Sequence, residues 1–507
     1  MSDRGLIGID IGGTAVKVAL FDTEGRLLAL HSTPVPMHAP QPGQAEMDPH
    51  CWQEAVANGT RSVLAQAGFL PQQVAGIGLS NMIGTVTPLD ADHRPLRPAI
   101  AYLDMRSVAQ AEWMLAQAPQ ITEITGNRVL PGNTSLATIL WLQTHEPWLA
   151  ERTATFATVN TLLFAWLTGE RRADYTNASF MGLMDYQRRA WSPALAARLG
   201  FDLDLLAPLY PSESTAPLTA RAAETLGLSA GVPVALGGLD GAMTSLGVGA
   251  IEVGDCFDAS GTSEMVAVCL DRPLACPELL GRWHVVPDRW TLIGAMTTSG
   301  ACLQWLHDQV YAPGAEGELA SSYERMLAEA SAAPPGAHGV VFLPHLMGER
   351  APIWDPYARG VFFGLTRSTT RGDMARAIIE GTAYAVRHLL ELIQERSGVE
   401  LRRILMVGGA ARDPLWRQIR ADIWGLQVVA SPVAEAAALG AALTAGVGAG
   451  LYADYAAAAR RCAAQGGEVS APDPAQAAAY QHGYAVYRRL YPALAETMRL
   501  AAHPENP

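Results

Sequence analysis

Apolar runs separated by short glycine-containing interruptions make up the first thirty residues. The runs cover Leu6–Asp10, Val16–Asp22 and Arg26–Leu30, and the residues between them favour tight turns. We therefore expect three successive strands, a β-meander. A dinucleotide site would need a helix after the first glycine-rich loop, and the sequence has no Gly-x-x-x-x-Gly-Lys-Ser/Thr motif.

The pattern that follows mixes helices and strands. Apolar residues recur at helical spacing over Asp48–Gln66, with Asp and Pro at the start, and this predicts a helix. The apolar run Val74–Ser80 predicts a buried strand, and Thr85–Asp90 predicts another. The uncharged, small-residue stretch Ala436–Ala453 predicts a buried helix rather than a membrane span. Strands interleaved with helices indicate the α/β class.

Length and composition are those of a globular protein with more than one domain. The chain has 507 residues, of which 49% are hydrophobic and 17% are charged. Because single cores seldom extend beyond about 250–300 residues, we expect two domains. The formal net charge of −13, without a long run of Lys and Arg, argues against a nucleic-acid partner.

Cysteine usage and the start of the chain indicate a cytoplasmic protein. The six cysteines form no Cys-x-x-Cys pair, and six in a chain of this length predict buried reduced thiols rather than disulfides. The first five residues lead directly into a strand and lack the layout of a signal peptide. We expect no membrane partner.

A short motif occurs twice. Asp10-Ile-Gly-Gly-Thr14 is matched by Asp258-Ala-Ser-Gly-Thr262, and the alignment continues from Val18-Ala19 to Val266-Ala267. Both copies stand between two strand-like runs. A repeat at this distance predicts a duplicated domain. We place the first domain at residues 1–246 and the second at residues 247–507.

Each copy of the motif has residues that could bind phosphate. Glycine lets main-chain N–H groups approach phosphate oxygens, and threonine adds a hydroxyl donor. Asp10 could hold Mg²⁺, usually through water. One such loop alone is more typical of an ordinary hairpin turn, whereas two facing copies could hold a triphosphate from both sides.

A single carboxylate follows a further apolar run. Val234–Leu239 is rich in small apolar residues and leads to Asp240. This carboxylate could accept the proton of an attacking hydroxyl in phosphoryl transfer. An aspartate after two glycines is also a common turn residue, so both interpretations stay open.

Seven ordered motifs resemble the FGGY carbohydrate kinases, over residues 5 to about 455. They are Asp10–Thr14; Leu96–Ile100 with Asp104–Arg106; Leu167–Glu170 with Asp174–Ser179; Gly237–Asp240; Ser260–Ser263; Gly348–Pro352 with Asp355-Pro356 and Ala358–Gly360; and Gly408–Trp416 with Ala421-Asp422. The resemblance implies an α/β fold of two actin-like (ribonuclease H-like) ATPase domains with a cleft between them. It also implies ATP and Mg²⁺ as cofactors and a small sugar as substrate.

The resemblance implies a role for particular residues. Asp240 would be the general base, and Asp10 would lie near Mg²⁺ and the phosphates. The nucleotide contacts would be Gly12, Gly13 and Thr14 in the first loop, Gly261, Thr262 and Ser263 in the second, Gly300 and Gln304, and the adenosine platform Gly409 and Ala410.

The sugar site departs from the family pattern. Xylulokinase-like members have Gly-Gln-Met-His where this chain has Asn81-Met-Ile-Gly84, so Ile83 and Gly84 replace two sugar contacts. Glycerol kinases have an Arg-Glu pair there, which disfavours glycerol. Asn81, Asp104 and Asn133 are candidates to bind the hydroxyls instead, although Asn and Asp also cap helices and turns. Thr138 and Asn160-Thr161 are further departures.

We expect D-xylulose as the substrate, with Asp240 also touching it. L-xylulose, a tetritol or gluconate is the alternative within the family. An acetokinase-like acyl kinase, a sugar kinase of the repressor-related group and a non-enzymatic actin-like scaffold or sensor are alternatives within the fold. The sequence leaves a homodimer open.

Overall fold

The computed structural model describes residues 4–311, 319–463 and 466–502, without the side chains of residues 319–321 and 462–463. The chain divides into two compact units. The first comprises Met1–Ile251, Asp271–Thr291 and Val433–Gln465, and the second comprises Glu252–Leu270, Leu292–Pro432 and Gly466–Pro507. The domain boundary at residue 247 stays a prediction.

The strands are β1 Gly5–Ile11, β2 Ala15–Asp22, β3 Leu27–Pro34, β4 Glu46–Met47, β5 Val74–Asn81, β6 Val86–Leu89, β7 Ala99–Ile100, β8 Thr155–Thr158, β9 Ala173–Asp174, β10 Met184–Asp185, β11 Ala190–Trp191, β12 Leu209–Tyr210, β13 Thr215–Pro217, β14 Pro233–Leu239, β15 Asp255–Ser260, β16 Glu264–Leu270, β17 Leu280–Trp283, β18 Trp290–Met296, β19 Val341–Leu343, β20 Val361–Phe363, β21 Arg403–Gly408, β22 Val428–Ala430 and β23 Val469–Ser470.

The α-helices are α1 Pro49–Ala67, α2 Val108–Gln117, α3 Ile121–Thr125, α4 Ser135–His145, α5 Val159–Thr168, α6 Tyr175–Ala178, α7 Pro193–Arg198, α8 Ala220–Leu226, α9 Asp240–Gly247, α10 Gly300–Leu306, α11 Leu319–Ala332, α12 Arg371–Ser397, α13 Gly409–Arg412, α14 Pro414–Trp424, α15 Ala436–Gly448, α16 Tyr455–Ala463 and α17 Ala477–Ala502.

The first unit contains a six-stranded sheet in the order β13-β14-β5-β1-β2-β3. Strands β1, β2 and β3 pair antiparallel in succession, which confirms the predicted meander. Strands β5 and β14 run parallel to β1, as expected of α/β connections. The predicted helix is α1, and the Asp48 side chain caps it by accepting from the His50 N–H.

Helix α15 confirms the buried helix predicted from small residues, and glycines let it lie directly on the sheet. A Cβ atom at Gly8 of β1 would stand 1.8 Å from the Ala438 carbonyl oxygen. One at Gly78 of β5 would stand 1.8 Å from the Ala441 carbonyl oxygen. Both distances are far below contact, so larger side chains would push the helix away.

The sheet of the second unit has the strand order β18-β16-β15-β21-β22-β23. Strand β15 pairs antiparallel with β16 and parallel with β21, as β1 does with β2 and β5. Strand β22 is parallel to β21, and β23 is antiparallel to β22, which matches β14 and β13. This shared topology is what a duplicated domain predicts.

The predicted alignment of the two motifs holds for the second strand and is wrong by one residue for the first. Four residues separate the paired Ile11 and Val16, whereas three separate the paired Ser260 and Glu264. Asp258 therefore takes the position of a buried core residue, not that of Asp10. Because strand side chains alternate between faces, this one-residue shift places the carboxylates of Asp10 and Asp258 on different faces of their sheets.

Two further predictions concern membrane spans and cysteines. In the described residues, no helix is both long and apolar enough to span a bilayer. Cys51, Cys256 and Cys302 have free thiols, and Cys256, Cys269, Cys276 and Cys302 are buried. The side chain of Cys462 lies outside the description.

Candidate functional site

Asp10 lies at the carboxyl end of β1, directly before the loop of Gly12, Gly13 and Thr14. The Ser80 hydroxyl on the neighbouring strand donates to Asp10 Oδ1 at 2.7 Å. Burial raises the pKa of Asp10, while the Ser80 hydrogen bond and the charge of Lys17 oppose the shift. Thr14 is exposed and the two glycines are half-buried. The loop can therefore offer main-chain N–H groups beside a carboxylate.

Ile83 and Gly84 lie close to this loop. The Met82 N–H donates to the Ile11 carbonyl at 2.9 Å, which joins the end of β5 to the end of β1. Gly84 has a φ of 68°, and a Cβ there would stand 2.4 Å from the Gly132 oxygen and 3.0 Å from the Asn133 Cα. The predicted sugar residues Ile83, Gly84 and Asn133 are thus neighbours.

Asn81 and Asp104 are buried, and their polar groups bond within the protein. The Asn81 amide exchanges two hydrogen bonds with the Asn177 amide, at 3.0 and 3.1 Å. Asp104 pairs with Arg106 at 2.8–2.9 Å and accepts the Ala45 N–H at 2.6 Å. Asn81 therefore links the end of β5 to Asn177, and Asp104 links the Ala45 main chain to Arg106.

Asp240 is the first residue of α9, directly after β14. It remains exposed to solvent, although the surrounding protein displaces much of its hydration. This loss of hydration, together with the negative charge of Asp10, raises the pKa of Asp240 to about 6. The Gly241 N–H, which donates to Asp240 Oδ1 at 2.6 Å, and the charge of Arg282 limit the rise. The Asp240 carboxylate is therefore mostly ionised at neutral pH, which lies only slightly above its pKa of about 6.

A cavity of about 540 Å³ in the second unit contains every nucleotide residue predicted there except Ser263. Its lining includes Gly261, Thr262, Gly300, Gln304, Gly409 and Ala410. Apolar and aromatic side chains, among them Trp305 and Tyr323, complete the wall. Glycine-bearing polar turns beside an aromatic wall suit a ligand with anionic groups at one end and a flat ring at the other.

The loop at Gly261 is bonded to the start of α10. The Gly300 N–H donates to the Gly261 oxygen and the Ser299 N–H to the Thr262 oxygen, both at 3.0 Å. Behind the loop, Ser299 donates to Glu264, which also pairs with Arg420. These contacts fix the loop from inside the unit.

A fully buried ion cluster supports the same wall. Arg420 contacts Asp258 Oδ2 at 2.5 Å and Glu264 Oε1 at 2.7 Å, and the Ser260 hydroxyl lies within hydrogen-bonding distance of both carboxylates, at 2.9 and 3.0 Å. Burial and the adjacent Glu264 charge raise the pKa of Asp258 well above its usual range. Asp258 is therefore a structural group, unlike Asp10.

If the nucleotide that the sequence resemblance implies binds in this cavity, Gly300→Ala should weaken ATP binding by roughly tenfold. The new Cβ would stand 2.5 Å from the Gly261 oxygen, and relieving such overpacking costs about 1–3 kcal/mol. Calorimetric titration with ATP measures the effect. The matched control is Gly381→Ala, whose Cβ would meet the Phe342 oxygen at 2.4 Å away from the cavity. Equal losses of affinity in the two variants would contradict this placement of the nucleotide.

Sequence reasoning missed several residues of these surroundings. Ser80 could have been found, because carboxyl ends of adjacent parallel strands converge. Lys17, which pairs with Glu435 at 2.8 Å, faces Asp10 across the hairpin and could have been found from that register. Trp305 and Tyr323 carry no local signal, since helix packing alone places them in the cavity wall.

Comparisons with known proteins cover almost the whole chain. Residues 6–247 match the N-terminal domain of the FGGY family of carbohydrate kinases, and residues 259–449 match the C-terminal domain of that family. The xylulose kinase of Escherichia coli is 32% identical over 425 residues, which are 83% of this chain and 85% of that protein.

Two further proteins extend the comparison. The gluconokinase of Bacillus licheniformis is 30% identical over 459 residues, covering 88% of this chain and 87% of its own. The crystal structure of xylulose kinase from Rhodospirillum rubrum superposes with a TM-score of 0.90 at 29% identity, covering 98% of this chain and 100% of that one.

Proposed function

Because the chain belongs to the FGGY family of carbohydrate kinases, we propose that it transfers the γ-phosphoryl group of ATP to D-xylulose, giving D-xylulose 5-phosphate. The family and its solved structures confirm the expected fold of two actin-like domains and an enzyme that phosphorylates a carbohydrate. Relatives named xylulose kinase support the choice of sugar. A gluconokinase of similar identity makes gluconate the second candidate.

The setting of Asp240 is the observation that carries the mechanism. An exposed carboxylate with a pKa raised to about 6 can accept a proton at neutral pH and is a stronger base than an ordinary aspartate. We assign it to the sugar hydroxyl that attacks the phosphoryl group. Ile83, Gly84 and Asn133 are the proposed sugar neighbours. Asn81, bonded to Asn177, holds the end of β5 that leads to Ile83, whereas the Asp104 side chain bonds Ala45 and Arg106.

The nucleotide is assigned to the 540 Å³ cavity of the second unit. Gly409 and Ala410 would contact the adenosine, while Gly261, Thr262 and Ser263 would meet the phosphates. Gly300 and Gln304 complete this proposed set. On the first unit, Gly12, Gly13 and Thr14 would offer further N–H and hydroxyl donors.

Asp10 fits Mg²⁺, because its carboxylate accepts one Ser80 hydrogen bond and keeps further lone pairs for a water shell. In the part of the chain that the structure describes, no three His, Cys, Asp or Glu residues form a metal cage. Mg²⁺ is commonly bound by one or two carboxylates, water and substrate phosphates, and Asp10 suits that role. When bound, the ion would neutralise phosphate charge.

We expect kcat/KM to fall as the pH drops through about 6. The base works only when ionised, and the pKa of Asp240 is raised to about 6, so activity is kept above this value and falls about tenfold per pH unit below it. Initial rates between pH 4.5 and 8 measure the acid limb of the kcat/KM profile. The Tm is recorded at each pH to exclude unfolding as the cause of the loss. A profile that stays level down to about pH 4.5 would argue against Asp240 as the base.

The substrate is tested by coupled ADP release with D-xylulose, L-xylulose, gluconate and a tetritol. We expect the highest kcat/KM with D-xylulose and a product phosphorylated at the primary hydroxyl of C5, as read by ³¹P and ¹³C NMR. A preference for gluconate would replace the first candidate by the second. No ADP release with any member of the panel would remove both.

A further inference from the structure

The N–H of Leu239, the residue immediately before Asp240, is held by a buried side chain. It donates to Thr176 Oγ1 at 2.8 Å, and that hydroxyl donates to Asp174 Oδ1 at 2.5 Å. Thr176 and Asp174 are both fully buried. A continuous hydrogen-bonded chain therefore runs from Asp174 through Thr176 to the main chain of Leu239, next to Asp240.

The end of β14 needs such an anchor because its ladder is irregular. The pairing of β14 with β5 shifts between Ala235 and Gly238, and Gly237 has a φ of 70°. A Cβ at Gly238 would stand 2.4 Å from Thr176 Oγ1, so the strand lies directly against this hydroxyl. Upstream, the Asn160 amide donates to the Leu236 carbonyl at 2.8 Å. Side chains thus supply contacts where regular strand pairing is interrupted.

Asp174 also reaches the sugar side of the unit. Its Oδ2 accepts from Asn177 Nδ2 at 2.7 Å, and the Asn177 amide exchanges hydrogen bonds with Asn81 at the end of β5. Two residues further on is Ile83. One buried carboxylate is therefore connected to the residue before Asp240 and to the residues before Ile83.

We propose that Thr176, held by Asp174, is a positioning residue that orients Asp240 for proton transfer. The inference rests on the proposed role of Asp240 as general base. Thr176 does not touch the reacting atoms; it holds the Gly238–Leu239 peptide, which directly precedes the peptide joined to Asp240. Because displacements of about 1 Å can cost about 10²-fold in rate, one hydrogen bond at this peptide has leverage on kcat. The other branch, through Asn177 and Asn81, orients the segment of Ile83.

The test compares Thr176→Val, which has nearly the same shape and no hydroxyl, with Thr176→Ser, which keeps it. We expect Thr176→Val to lower kcat about 10–100-fold while the KM for the sugar stays within about threefold. Thr176→Ser should retain kcat within about threefold. The matched control is Thr60→Val, which removes an equally buried hydroxyl that donates to Val56 in α1, and it should leave kcat unchanged.

The outcomes separate this inference from the proposed function. If Asp240→Asn abolishes turnover while Thr176→Val matches wild type, the positioning role is wrong and the base stands. If Asp240→Asn is fully active, the proposed role of Asp240 as base fails, and the inference about Thr176 loses its premise. Equal kcat losses in the Val and Ser variants would also overturn the inference. If Thr176→Val does not fold, Thr176→Ala is tested in its place. If neither variant folds while Thr60→Val does, the Thr176 hydroxyl serves folding and has no separate role in catalysis.

Discussion

Asp240→Asn should lower kcat by about 10²–10⁴ and leave the ATP dissociation constant within about threefold of wild type. Asparagine has the same shape and can still accept the Gly241 N–H at Oδ1, so the start of α9 keeps its local hydrogen bond. The amide cannot take a proton from the attacking hydroxyl. The loss should therefore appear in turnover and not in nucleotide binding.

The measurement pairs steady-state kinetics with calorimetric titration of ATP. Asp202→Asn is the matched control, because Asp202 is an exposed aspartate of the same unit that accepts the Asp204 N–H and has no contact with the site. It should show wild-type turnover. Unchanged turnover in Asp240→Asn would remove the proposed mechanism, and loss of ATP affinity in that variant would make Asp240 a binding residue.

Much of the fold could be predicted because local patterns and tertiary structure agree. The β1–β3 meander follows from the apolar runs and the turns between them. Helix α15 follows from its small residues, and Gly8 and Gly78 in the sheet leave room for it to pack closely. The repeated motif predicted the shared topology of the two sheets. The displacement of Asp258 could not be predicted, because it depends on how many residues the second hairpin leaves unpaired.

The parts of the candidate site that depend on main-chain N–H groups could be predicted from the sequence. The parts that depend on how side chains pack could be predicted less well. Glycine turns were recognisable as potential phosphate loops. Of the second-unit nucleotide residues that the family resemblance implies, all except Ser263 line one cavity. Nothing in the sequence distinguishes Asn81 and Asp104 from exposed polar residues, yet both are buried and hydrogen-bonded. A single sequence does not tell which way a polar side chain turns at the end of a strand.

The contacts of Thr176 show why motif position alone is insufficient. Asp174-Tyr-Thr-Asn was visible as a motif, but its connection to Leu239 is a contact across 63 positions. The departure at Asn160 has a structural role as well, since its amide donates to the Leu236 carbonyl. Long-range hydrogen bonds of this kind anchor the end of β14, and they leave no periodic trace in the sequence.

Arg420→Met should destabilise the protein by about 3–5 kcal/mol. Arg420 is completely buried between Trp416 and Trp424, with its guanidinium about 5 Å from each ring. It pairs with both Asp258 and Glu264, so methionine would leave two carboxylates buried without a cation. For a unit of about 200 residues this corresponds to a fall in Tm of roughly 6–20 °C, measured by calorimetry. The exposed pair of Arg371 with Glu329 provides the control, and Arg371→Met should cost about 1 kcal/mol or less.

The loss caused by Arg420→Met should also grow with pH. Burial and Glu264 already raise the pKa of Asp258, and the positive charge of Arg420 opposes that rise. Without this charge, the folded variant must keep protons that the unfolded chain releases above about pH 4, so its stability declines further as the pH increases. Denaturation at pH 5 and pH 8 measures the difference. A deficit equal to that of Arg371→Met, or one that shrinks from pH 5 to pH 8, would mean that the two carboxylates do not depend on Arg420 for their burial.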